Sequence, residues 1–270
     1  MGACMRSRVI LFRVRWRLVI ATLFCAASAN TGLAQSGGEE IITDRPDITE
    51  SAVVVPKASL QVENGVTWTN DQLDRLVTLC QTLLRLGVSD RAEFRLSLPS
   101  YSQDFSRGVS SSGVTDTSIG FKQQLGPLPG GFDLSLIVAT SVPTGTPDKT
   151  SHRLDPFLKL PWSRELGKGW SVGGMASIFW TTEESRRNRI LESTFEVQRD
   201  LSRSLEVFAE YAGDYPEHGG AKQTIHFGTA YRINPTNQVD FHFGFGLSSS
   251  TPQRFFAAGY SFRIDRLWGK

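Results

Sequence analysis

The chain lacks any apolar run long enough to cross a bilayer as a helix. Its longest nearly unbroken apolar stretch, residues 18–29, has 12 residues, where a spanning helix needs about 20. Cysteine is scarce. Of three, Cys4 and Cys25 stand near the start and only Cys80 lies further on, so an exported form has no internal disulfide to staple it. There are four histidines, and no His, Cys, Asp and Glu residues fall at ligand spacing, which removes a metal centre and leaves no cofactor implied. Gly-x-Ser-x-Gly and His-x-Ser are both missing. A basic excess is missing as well, because the formal +2 rests on arginines at the extreme N-terminus.

Those arginines belong to a leader. Arg6, Arg8, Arg13, Arg15 and Arg17 form a basic region without an acid, residues 18–29 form an apolar region, and small residues follow. This is the layout of a secretory signal peptide. Ala27-Ser28-Ala29 and Gly32-Leu33-Ala34 each offer a small-x-small cleavage site; the second is preferred, making residues 1–34 the signal peptide. Cys25 would suit a lipoprotein, but the preceding Phe24 is bulky where a small residue is expected. Cleavage removes five of 29 basic residues and leaves 24 against 27 acidic. The processed chain therefore sits near −3, and nothing points to nucleic acid.

What the chain has is alternation. Val239, Phe241, Phe243, Phe245 and Leu247 are large and apolar, while Asp240, His242, Gly244 and Gly246 lie between them. A two-residue period means a strand with one oily face and one polar or empty face. The pattern recurs over 59–69, 91–98, 114–125, 132–142, 154–162, 170–181, 189–199, 204–213, 223–233, 238–248 and 253–264. Residues 71–86 are ambiguous. Leu73, Leu76, Val77, Cys80, Leu83 and Leu84 fit helical spacing, whereas a strand puts Leu76, Thr78, Cys80, Thr82, Leu84, Leu86 and Val88 outward and Arg75, Gln81 and Arg85 inward. The strand is preferred because bacterial single-chain barrels close with an even number. Residues 58–264 then hold 12 strands at roughly 17 residues per strand and connection.

Connections alternate between tight turns (87–90, 200–203, 234–237) and longer polar loops (101–113, 143–153, 182–187, 214–221), as in outer-membrane barrels. A mean hydropathy of −0.19 does not oppose this, since each oily residue is averaged with a polar neighbour. The expected fold is an all-β, 12-stranded antiparallel up-and-down transmembrane barrel. It is preceded by a polar segment at 35–57 and followed by a tail at 265–270. A secreted β-sandwich or soluble barrel is the alternative. The inward Gly173, Ser177, Gly228, Ala230, Gly244, Gly246, Ala257 and Gly259 fit a crowded narrow lumen better than a solvated sheet face.

Three motifs carry a resemblance. Asp44-Arg45-Pro46-Asp47-x-Thr49-Glu50-Ser51 precedes the first strand, residues 83–95 read LLRLGVSDRAEFR, and Pro143-Thr144-Gly145 ends the fifth strand. Together, over about residues 42–264, they resemble the bacterial outer-membrane transporter family described as the MetA pathway of phenol degradation. The resemblance implies an outer-membrane barrel passing small molecules, aromatic ones included, and it implies that residues 71–86 are a strand. Barrels of this kind commonly end on an aromatic residue read by the outer-membrane assembly machinery. Here Phe262 or Trp268 would serve, since the chain runs on to Lys270.

On these strand phases Glu63, Arg85, Glu93, Arg95, Glu192, Glu196, Glu206, Glu210, His226, Arg232, Asp240 and His242 face the lumen. Charges of both signs on neighbouring strands form a packed polar interior or a selectivity device. Arg45, Asp47 and Glu50 are candidates for a plug that enters the periplasmic mouth and pairs with Glu63, Glu93 or Arg85. The expected partners are outer-membrane lipid and a small-molecule solute taken up passively. The rival class is a barrel enzyme acting on lipid, which needs a His beside a Ser and an acid at the rim. His226 and His242 point inward, and His152 and His218 lie in loops, so no such triad is evident. A structural or adhesive barrel is a third reading, with short outer loops against it.

Overall fold

The computed structural model describes residues 40–71, 74–106, 109–183 and 186–268; the signal peptide and its cleavage site lie outside them. Fourteen strand segments follow one another: β1 (Leu60–Asp71), β2 (Asp74–Ser89), β3 (Ala92–Ser97), β4 (Tyr101–Ser106), β5 (Val109–Val114), β6 (Thr117–Gln124), β7 (Phe132–Val142), β8 (Asp155–Gly167), β9 (Trp170–Glu183), β10 (Arg186–Asp200), β11 (Leu205–Pro216), β12 (Lys222–Asn234), β13 (Asn237–Gly246) and β14 (Arg254–Ile264). β3 and β4 run along β2 in a single register, and β5 and β6 run along β4 and β3 in the same way. Each pair is one long strand interrupted at 98–100 or 115–116, so the fourteen segments make 12 staves. Every pairing is antiparallel, and β14 pairs with β1 from Leu60↔Ile264 to Asn70↔Arg254, which closes the barrel.

The alternation decides which face is which. Trp68, Val138, Phe195 and Phe241 on the outside are 46–50% exposed, while Glu63, Arg85, Glu93 and Lys122 on the inside are fully buried. A soluble domain places these classes the other way round. One closed sheet with no second layer excludes the β-sandwich. A continuous oily exterior is what lipid covers, and closure leaves no edge whose backbone groups would be stranded in hydrocarbon.

Residues 74–89 are a strand, and their helix-like spacing has a cause. Gly65 pairs with Gln81 but Thr67 pairs with Thr78, so Leu79 and Cys80 together oppose Val66. Cys80 takes a positive φ of 57° in this bulge. A one-residue insertion reverses the phase beyond it. Leu76 and Thr78 therefore share the inner face with Thr69, Thr67 and the buried Ser102, and Arg75 turns outward. Uninterrupted alternation predicts the opposite for all three.

The expected loop at 101–113 is instead the β4–β5 hairpin. At the height of the Cys80 bulge, Thr115 N donates to Ser100 O at 2.9 Å, and Ser100 N donates to Thr115 Oγ1 at 3.0 Å. Residues 182–183, 186–187 and 214–216 likewise belong to strands. The loop 143–154 is tied to the wall by Asp116, which accepts from Gly145 N at 2.8 Å and Ser151 N at 3.0 Å. The connections 90–91, 168–169, 201–204 and 235–236 are short and share one end with the longer 125–131; the longest loop, 143–154, lies at the other end with 217–221 and 247–253. The short-turn end is the periplasmic one.

Candidate functional site

Residues 40–59 enter at the short-turn end. Ile41 N donates to Pro235 O at 2.8 Å, and Ala58 N donates to Gly87 O at 2.8 Å. Between these anchors the segment forms neither helix nor strand and lies across the lumen. Ile41, Ala52 and Val55 are buried. Arg45 fits a slot where β1 and β14 both carry glycine: a Cβ on Gly65 would come within 2.2 Å of its guanidinium, and one on Gly259 within 2.4 Å.

The wall is electrically divided. Arg85 on β2, Arg95 on β3, Lys122 on β6 and Lys159 on β8 form an arc richer in cations, with Glu63 on β1 and Glu93 on β3 set among them. Glu192 and Glu196 on β10, Glu206 and Glu210 on β11 and Asp240 on β13 form an acidic one. The N-terminal segment presents the complementary group to each. Asp44 lies 3.2 Å from Arg85, 2.7 Å from Arg95 and 3.4 Å from Lys122. Glu50 meets Arg95 at 2.8 Å and Lys159 at 2.6 Å. Arg45 meets Asp240 at 3.2 Å. Glu210 accepts from the successive amides of Ile48 and Thr49 at 2.9 and 2.8 Å and from Thr49 Oγ1 at 2.7 Å. Two adjacent backbone amides aimed at one carboxylate make a small anion nest.

Burial pushes the Asp44 carboxyl upward, but Arg85, Lys122 and Arg95 override it and hold Asp44 well below its ordinary 3.8. Glu50 behaves alike: burial raises it, Arg95 and Lys159 outweigh burial, and it lies below its ordinary 4.5. Asp47 is the exception. It faces the acidic arc, shares a hydrogen bond with Glu196, and accepts from Gln198 Nε2 at 3.2 Å. Burial first, then Glu196, Glu210 and Glu206, push Asp47 well above 3.8. Two carboxyls joined this way require a proton between them.

The plug candidates thus have different partners from those the sequence suggested. Arg45 reaches Asp240, Glu50 reaches Arg95 and Lys159, and Asp47 reaches Glu196. Glu63 and Glu93 instead hold Arg85, at 3.0 and 2.9 Å, and accept from the amides of Asp44 and Val55. Glu206 pairs with Arg232 at 2.8 Å nearer the periplasmic end. His226 is fully buried with Nε2 2.6 Å from Glu210 Oε2, out of line for a hydrogen bond, and His242 lies beside it with Nδ1 3.5 Å from the His226 Nδ1. Lys122 and Lys159 are absent from the residues the sequence points to, and Asp44 figures there only as part of its motif. Lys122 follows Phe121, and Lys159 stands between Leu158 and Leu160, so strand phase alone would have turned both inward. His152 and His218 lie at the opposite, long-loop end.

The sequence profile of a family described as "Putative MetA-pathway of phenol degradation" matches residues 43–264. Among solved structures, the COG4313 outer membrane channel from Pseudomonas putida F1 aligns with a TM-score of 0.58 at 13% identity, covering 86% of this chain and 100% of that one. The NanC porin aligns with a TM-score of 0.51 at 10% identity, over 76% and 100% of the two chains. The β domain of the Bordetella autotransporter BrkA gives 0.51 at 12% identity, over 76% and 99%. These likenesses are of fold, and all three are barrels of the outer membrane. No curated protein matches the chain.

Proposed function

The chain belongs to the family described as putative MetA-pathway of phenol degradation, and from that membership we propose an outer-membrane channel for passive uptake of a small solute. In this reading residues 41–58 are its periplasmic plug. The observation that carries the proposal is the chemistry of the plug's seat. Besides the buried Ile41, Ala52 and Val55 and the two backbone anchors at its ends, the segment is held by ion pairs and hydrogen bonds to wall side chains. Water and a polar solute can replace such bonds one by one, whereas an apolar plug would resist release. Family membership supports a small organic solute, aromatic compounds included, and no covalent step or cofactor enters. The same reading has residues 1–34 removed on export, lipid covering the apolar exterior, and Phe262 or Trp268 presented to the assembly machinery.

Planar-bilayer conductance of the refolded processed chain, with and without residues 42–51, tests this. The deletion is expected to raise conductance several-fold while the barrel keeps its heat-modifiable mobility on a gel. Unchanged conductance with unchanged folding would remove the plug, and failure to pass any small solute after deletion would remove the channel.

A further inference from the structure

Between the N-terminal segment and the wall of β3, β6, β7 and β8 lies a cavity of about 220 Å³. The smallness of Gly120 and Ala139 creates this space; a Cβ on Gly120 would come within 2.5 Å of the Ala139 Cβ. Two cations converge at the cavity on a single carboxylate. Arg95 Nη2 and Lys159 Nζ lie 2.8 and 2.6 Å from the two oxygens of Glu50. The same Lys159 ammonium sits 5.6 Å from the ring centroids of both Phe157 and Phe179, which pack 5.4 Å apart. A seat for an anion and a surface for a ring are therefore side by side, joined through one lysine.

Resting on the channel reading above, we propose that this cavity recognises a single-ring aromatic carboxylate, and that Glu50 holds the carboxylate seat while the segment is docked. The cavity is smaller than the roughly 300–1,000 Å³ of sites for drug-sized ligands, so one ring is what it admits. Arg95 also pairs with Asp44 and Glu93 at 2.7 Å each, whereas Lys159 relies on Glu50, so a carboxylate replacing Glu50 spares Lys159 the penalty of a buried unpaired cation. A ring beside it adds contact with Phe157 and Phe179 at favourable aromatic separations. A neutral aromatic cannot displace Glu50, and a small aliphatic acid gains nothing from the rings. Because solute and Glu50 compete, binding must loosen the segment by as much as the segment weakens binding.

Calorimetric titration of the refolded processed chain in micelles with benzoate, against benzyl alcohol and acetate, reads this directly. Glu50→Gln empties the seat and should bind benzoate about tenfold tighter than the parent, with benzyl alcohol unchanged. Adding Lys159→Gln should cancel the gain, and adding Phe157→Leu should erase the preference for benzoate over acetate. Should Glu50→Gln fold poorly, the parent chain supplies the second measurement: benzoate, and not benzyl alcohol, should increase protease cleavage within residues 42–51. Equal benzoate affinity in parent and Glu50→Gln, or benzoate-independent cleavage, overturns the subsite. Binding is read without flux, so a chain that binds benzoate yet passes nothing sinks the channel reading and leaves this one standing.

Discussion

Arg85 on β2 and Glu93 on β3 form one half of a clasp whose other half is the N-terminal segment. Arg85 Nε donates to Glu93 Oε1 at 2.9 Å, and Glu93 Oε2 accepts from the Val55 amide at 2.7 Å. Arg85 also lies 3.0 Å from Glu63 and 3.2 Å from Asp44. One fully buried guanidinium thus touches three carboxylates, two of which it shares with Arg95 and Lys122. Arg85→Met should destabilise the barrel by about 3–5 kcal/mol, the range for breaking a buried pair from one side. Urea unfolding of the refolded protein in micelles checks this, and a loss under about 1 kcal/mol would place the clasp among weak surface pairs.

Asp47 gives the segment a pH dependence of definite sign. Its pKa in the docked state is raised above 3.8, so its contribution to docking is complete below that value and fades as pH rises through the raised pKa. Asp44 and Glu50 are depressed below 3.8 and 4.5. Their contributions are complete above those values and fade only as pH falls through the lowered ones. Of the three, only Asp47 loosens the segment on the alkaline side. Bilayer conductance should therefore climb as pH is raised, and Asp47→Asn, neutral throughout, should lose most of that climb. The same climb in both proteins refutes the assignment.

A covalent tether tests the segment's position without altering charge. Thr49 Oγ1 and Thr194 Oγ1 are 2.5 Å apart, so cysteines at these positions bring their sulfurs close to the ~2.05 Å of a disulfide. Cys80, exposed on the barrel exterior, is first changed to serine. Oxidised Thr49→Cys/Thr194→Cys protein should conduct no more than the parent at any pH, and reduction should restore the alkaline rise. Free thiols after oxidation would show that the segment does not rest on β10.

The wall was readable from the two-residue period, because lipid outside and crowding inside impose opposite chemistry on alternate residues. The upper parts of β2 to β6 were not. A bulge at Leu79 and Cys80, with interruptions at the same height in the two neighbouring staves, reverses the phase. Reversal makes Leu76 and Val77 look helical, and it makes 101–113 look like a loop. The lumen contacts were hidden for another reason. Arg45 and Asp240 are 195 positions apart, and nothing local encodes which inward side chain lies opposite which until the barrel closes. Only the motif Asp44-Arg45-Pro46-Asp47, too polar and irregular for a strand, marked the segment as something other than wall.

Phe243 and Gly244 are neighbours in β13 that answer to different solvents. Phe243 stands on the outer face, with ring centroids of Phe227, Phe241 and Phe245 at 6.0, 6.3 and 5.9 Å. Arginine there faces acyl chains and should cost about 2–4 kcal/mol near the midplane. Gly244 faces inward, where an added Cβ would come 2.4 Å from the Phe255 ring and 2.7 Å from the His226 Cβ. Gly244→Ala should cost about 1–3 kcal/mol by overpacking, a penalty set by protein atoms and indifferent to the surroundings. Unfolding both variants in vesicles of short and long acyl chains separates the causes. The Phe243→Arg penalty should grow with bilayer thickness while that of Gly244→Ala stays constant, and the reverse would invert the inner and outer faces of the barrel.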